Sequence, residues 1–180
     1  LGDRERVVAL CDRLLAMPEA AQSERRITAE ASVVRCLLWR GMHDTAATLC
    51  ARLDRAFPLF SADPRVMVCA HVLSFSRARV TGDEAQALRE VISAARRFDE
   101  LGDRRNACMF RGNLGHIYMN LGRWADAARA YARVASSCPD DVVLNQKAAR
   151  ATLRAGGDVK SAIAFALQAV TVDPMLVDAR

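Results

Sequence analysis

Residues 101–124 read LGDRRNACMFRGNLGHIYMNLGRW. A Leu-Gly pair opens this stretch at Leu101-Gly102, recurs inside it at Leu114-Gly115 and closes it at Leu121-Gly122. The pairs are expected to fill different structural positions. Leu121-Gly122 is read as the turn inside a helical hairpin, and Leu101-Gly102 as the handover between two hairpins. Leu114-Gly115 is read as helix interior, where glycine costs up to about 1 kcal/mol relative to alanine. Close approach of a neighbouring helix is the usual reason to keep it there.

Outward from this stretch, a glycine followed by a polar residue and a second amphipathic segment recurs through the chain. The marking glycines are Gly2, Gly41, Gly82, Gly122 and Gly156, at spacings of 39, 41, 40 and 34 residues. Glycine suits such points because it takes the left-handed conformation that ends a helix. The segments between have helical spacing: Ala127, Ala128, Tyr131 and Val134 fall on one face of a 3.6-residue period. Helices are therefore expected near 3–17, 24–40, 43–57, 65–81, 83–100, 104–121, 124–137, 142–155 and 158–172. Breaks are expected at MPEAAQS, PLFSADP, ELGD and CPDD. The expected fold is all-α, an α-α superhelix (a solenoid of stacked antiparallel helical hairpins) forming a single domain over 1–180. Helix 3–17 would come from a preceding repeat, with Val7, Val8 and Leu14 as candidates for exposure at that open end, and hairpins would cover 24–57, 65–100, 104–137 and 142–172. The chain opens with Leu rather than Met and stops at DPMLVDAR, so it is read as an internal piece of a longer protein.

Composition narrows the function classes. Hydrophobic residues make up 52% of 180 residues but aromatics only 6%, so Ala, Leu and Val carry the apolar content, as close helix packing favours. The charge-free run SAIAFALQAVTV at 161–172 is too short to cross a bilayer, which takes about 20 residues. No signal-peptide pattern opens the chain, and no membrane partner is expected. Six cysteines show no CxxC pair and three histidines no HxxxH spacing, so no metal or cofactor is expected and the thiols are read as small apolar residues in a reducing cytoplasm. Phosphate-binding and nucleophile-elbow motifs are missing, and the chain is read as non-catalytic. Net charge is +5, with 24 Arg against Lys147 and Lys160, a balance that falls short of a dedicated nucleic-acid patch.

Residues 108–141 resemble a tetratricopeptide repeat (TPR), a helix-turn-helix unit of 34 residues. Leu114, Gly115, Tyr118, Gly122, Ala127, Tyr131 and Pro139 fall on its pattern, with Trp124 at the aromatic place after the turn. Arg111 stands where a large residue is usual, and Val134 where the late alanine is. Residues 142–174 continue the pattern through Ala148, Ala149, Gly156, Ala162, Ala166, Ala169 and Pro174. The earlier pairs keep the glycine at a period near 40, a length similar to units in bacterial signalling and regulatory proteins. The resemblance covers about 1–176, most strongly the last 70 residues. It implies a right-handed superhelix that holds a protein segment in a concave groove, as a scaffold attached to a larger regulator.

The same resemblance places the first helix of each hairpin in that groove. The candidate partner-binding residues are Arg35, Trp39, Arg79, Met109, His116, Met119, Asn120, Arg150 and Arg154. The twenty groove positions inferred this way hold four arginines and no acid, which points to an acidic peptide or protein segment as partner. Solvated arginines in an arginine-rich chain are the competing reading. Asn113 and Lys147 fit two places of a carboxylate clamp, but Val72 and Ser76 stand where its other residues belong, so a clamp is rejected. A helical-repeat RNA-binding module is the alternative function, disfavoured by uneven spacing and few lysines.

Overall fold

A computed structural model describes residues 3–18 and 22–173, with nine α-helices and no strand among them. They are α1 (Asp3–Ala16), α2 (Glu24–Trp39), α3 (His43–Ala56), α4 (Pro64–Thr81), α5 (Glu84–Glu100), α6 (Arg104–Asn120), α7 (Trp124–Ser137), α8 (Val142–Arg154) and α9 (Val159–Val172). Consecutive packing of helices gives the α-α repeat class expected from the glycine period. In place of part of the expected break after α3, Phe57–Phe60 forms a 3₁₀ turn with Pro58 inside it. The Leu1-Gly2 turn, Pro174 and positions 19–21 of the first break lie outside the described residues. No described helix is long and apolar enough to cross a membrane.

The turns follow from backbone chemistry. After α6, Gly122 adopts φ 70°, a region that a side chain would make costly. Its N–H donates to the Met119 carbonyl at 3.1 Å, while the Arg123 N–H donates to the Tyr118 carbonyl at 2.8 Å. This pair of bonds satisfies carbonyls that the helix end would otherwise leave bare. Equivalent pairs close α2 at Gly41 and α8 at Gly156. Aspartates start the helices: Asp103 accepts from the Asn106 N–H at 3.0 Å and Asp141 from the Leu144 N–H at 2.9 Å. The Asn106 side chain and N–H hold Asp103 below the usual carboxylate range, and the Ser161 hydroxyl and N–H do the same for Asp158.

The chain forms two compact units that divide at Arg97 and Phe98. In the first, Ile27, Val34, Leu37, Leu49, Leu53 and Leu73 form a closed aliphatic core between α2, α3 and α4. Val7 and Leu14 of α1 pack against it. This corrects the expectation that they would stand exposed at an open end; the large apolar side chain that α1 exposes is Leu10 instead. Beside this core lies a buried ionic cluster. Glu30 is fully buried and accepts from Arg26 Nε at 2.7 Å, and from Arg52 through Nη2 at 2.7 Å and Nε at 3.2 Å. Both guanidiniums also reach the end of α1: Arg52 Nη1 donates to the Leu14 carbonyl at 2.8 Å, and Arg26 to the carbonyls of Met17 at 3.0 Å and Pro18 at 2.7 Å. Every strong donor and acceptor is thus engaged, the condition under which buried charge is tolerated.

In the second unit α6, α7, α8 and α9 pack each against the next. The core is built from Ala127, Ala135, Ala148 and Ala151 around one large side chain, Tyr131, which has no exposed surface. A Cβ placed on Gly115 of α6 would stand 2.8 Å from the Tyr131 ring, so this glycine makes room for the facing helix, as its place in the sequence suggested. The Tyr131 hydroxyl is buried with no hydrogen-bond partner among the described residues, and burial pushes its pKa up to about 12.

Two mutational outcomes are expected from these cores. Glu30→Ala should lower stability by about 3–5 kcal/mol, because it leaves two buried guanidiniums without their carboxylate; urea denaturation of the variant measures it. Gly115→Ala should destabilise by about 1–3 kcal/mol, since ring overlap outweighs the gain of up to about 1 kcal/mol in helix propensity. In a Tyr131→Ala background the same substitution should turn neutral or stabilising, and the double-mutant cycle reads the difference.

Candidate functional site

The described residues form several open hollows along helix faces, and six of the nine candidate residues are distributed among three of them. In the first unit, Trp39 and Arg79 line a hollow of about 350 Å³ with Leu38, Gly41, His43, Ser76 and Val80. Trp39 ends α2 and is 69% exposed, which is unusual for the largest apolar side chain. Arg79 is already engaged there: its guanidinium donates to Glu84 at 2.7 Å, and both side chains are about three-quarters covered. Arg35 is half-buried outside this hollow. Of the other groove positions, Ala31, Leu38, Val72 and Ser76 are buried, and the Ser76 hydroxyl donates back to the Val72 carbonyl. Ala31 and Val72 belong to the helix interface, while Leu38 and Ser76 form the buried side of this hollow.

In the second unit, Met109 and His116 line a hollow of about 430 Å³ between α6 and α8. Gly112 sits between them, and a Cβ there would lie 3.4 Å from Leu144 of α8, so the floor is formed by close helix approach. The walls carry Arg105, Asn113 and Lys147 as well as Cys108, Cys138 and Asp141. The Asp141 carboxylate caps α8, so one of its oxygens is occupied by backbone. Two cations, an amide and an imidazole therefore surround a partly apolar space. Arg105 and Cys108 are absent from the candidate set, although 105, 108, 109, 112 and 116 follow i, i+3, i+4, i+7, i+11 on one face of α6.

Arg150 and Arg154 line a third hollow, about 560 Å³, between α8 and α9, with Gln146, Leu153, Ala166 and Val170. The Arg154 guanidinium also lies over the Trp124 ring, 5.5 Å from its centre. The remaining two candidates stand elsewhere: Met119 packs against the alanine core, and Asn120 is exposed at the end of α6. Among the described residues no set of His, Cys, Asp or Glu converges in a way that could hold a metal ion.

With this geometry in hand, residues 111–141 match the family model of the tetratricopeptide repeat. The match runs from the middle of α6 through α7 to the Asp141 cap of α8, inside the stretch whose pattern suggested it. Comparison with curated proteins finds no match. A repeat of this kind within an all-helical repeat fold supports a general protein-interaction scaffold, and the repeat family is in general non-catalytic.

The exposure of Trp39 is directly measurable. In a Trp124→Phe variant, iodide should quench the remaining indole fluorescence nearly as well as that of a free tryptophan derivative. Strong shielding would show instead that Trp39 is part of the folded interior.

Proposed function

We propose that the chain is a docking scaffold for an acidic peptide or protein segment, serving as the docking or sensor arm of a larger bacterial regulator. The observation that carries this reading is the hollow between α6 and α8. Arg105 and Lys147 offer it positive charge, Asn113 and His116 offer polar contacts, and Met109 and Val143 supply apolar surface. Asp141, the acid at its wall, is drawn into capping α8. The α8/α9 hollow adds Arg150 and Arg154 with no acid in its lining. Carboxylates entering either hollow would gain charge-assisted hydrogen bonds, and the flanking apolar side chains would anchor a neighbouring residue of the same segment.

The test is a fluorescence-polarisation titration with a Glu/Asp-rich peptide, its Gln/Asn counterpart and a single-stranded RNA. The acidic peptide should bind most tightly. Arg105→Glu/Lys147→Glu and Arg150→Glu/Arg154→Glu, each checked for unchanged helicity, should weaken it by about tenfold or more for the hollow in use. Equal binding of the neutral peptide would sink the acidic-segment reading. Tighter RNA binding that falls steeply with salt would put the nucleic-acid reading in its place.

A further inference from the structure

We propose that Cys108 and Cys138 form a redox-modifiable dithiol, a site at which a peroxide converts two free thiols into a disulfide that closes the open end of the α6–α7 hairpin. Six free cysteines are present, and their settings differ. Cys11 and Cys50 are buried, and burial raises the pKa of each, as it does for half-buried Cys69. Cys36 is exposed on α2. Cys108 and Cys138 are both half-buried, share the wall of the α6/α8 hollow, and lie near enough for the Cys108 thiol to raise the pKa of Cys138.

Their places in the hairpin make the pairing mechanically sensible. Cys108 lies in the second turn of α6, while Cys138 is the residue that ends α7. The Gly122 turn joins the two helices at one end, and both cysteines lie toward the other, on the wall of one hollow. Cys138 has left helical geometry, with φ −135° and ψ 68°, so the shift that brings the sulfurs into a bond falls on a helix terminus and not on a packed interior.

The chemistry balances with hydrogen peroxide as the named oxidant. One sulfur, as thiolate, attacks a peroxide oxygen; the O–O bond breaks, water leaves and a sulfenic acid remains. The second thiol attacks that sulfur, the S–S bond forms, and the S–O bond breaks to release a second water. Two electrons pass from the sulfurs to the peroxide, and both thiol protons end in water. Burial, the neighbouring Cys108 and the Asp141 carboxylate hold Cys138 above the ordinary thiol range, while Arg105, His116 and Lys147 line the same hollow. The pair accordingly stays reduced until oxidant is in excess. A changed affinity of the hollow for an acidic segment would follow from oxidation; that consequence rests on the reading given above, whereas the cross-link does not.

The experiment treats the whole 180-residue chain with a few-fold excess of hydrogen peroxide, blocks remaining thiols, and maps peptides without reduction. The expected product is a Cys108–Cys138 linked peptide with the loss of two hydrogens, reversed by reductant and absent from Cys108→Ser and Cys138→Ser. Its melting temperature should rise by roughly 5 °C or more, because the closed loop restricts the unfolded chain. Oxidation confined to Cys36, or an equal yield of the linked peptide from protein unfolded in urea, would overturn the proposal. The mass measurement on the unmutated chain stands even where a serine variant folds poorly, and it does not depend on any peptide ligand.

Discussion

An amphipathic helix of the length found here has one face to bury and no means of burying it alone. Isolated helices of this size are marginal in water, so each depends on the helix beside it. That constraint explains why turn chemistry weighs so heavily. The left-handed glycines at Gly41, Gly82, Gly122 and Gly156 reverse the chain within two to four residues, and so return each apolar face to the one before it. A longer or looser connection would leave more freedom to be lost on folding.

The two units satisfy the constraint by different means. The first fills its interior with leucine, isoleucine and valine and joins α1, α2 and α3 through buried charge at Glu30. The second uses alanine on α7 and α8, brings the helix axes close, and then needs a single large ring to fill the remaining space. Tyr131 is that ring, and Gly115 is the concession made for it on the facing helix. The unpaired hydroxyl of Tyr131 indicates that shape, more than hydrogen bonding, decides the residue at this position.

Much of this was legible in the sequence because it is local. Helix bounds lie within one residue of those expected, since glycines, capping aspartates and apolar period all act over one or two turns. Gly115 was readable for the same reason: an unfavourable residue inside a helix asks for a neighbour. What escaped was long-range. Arg26 and Glu30 are four residues apart and could be paired by inspection, but Arg52 is 22 residues from Glu30 and nothing in the spacing announces it. Val7 and Leu14 were misplaced because the core they pack against is built from residues of α2, α3 and α4, contacts that local spacing does not show. The hollows were partly legible. A family pattern directed attention to Met109 and His116, whereas Arg105 and Cys108 needed the full α6 face to be followed toward its start.

The Glu30 cluster bears on the order in which a chain can mature during synthesis. The Leu14 carbonyl finds its partner on Arg52, 38 residues later. Helix α1 thus leaves the ribosome well before the second of the two guanidiniums that hold its end has been made, and α2 emerges carrying a carboxylate destined for the interior with one of its two partners still to come. The second unit carries no comparable delay in its described packing, because each helix meets the next in line. On vectorial synthesis the first unit cannot complete its charge cluster before α3 emerges, nor its aliphatic core before α4, while the second can add helices as they appear.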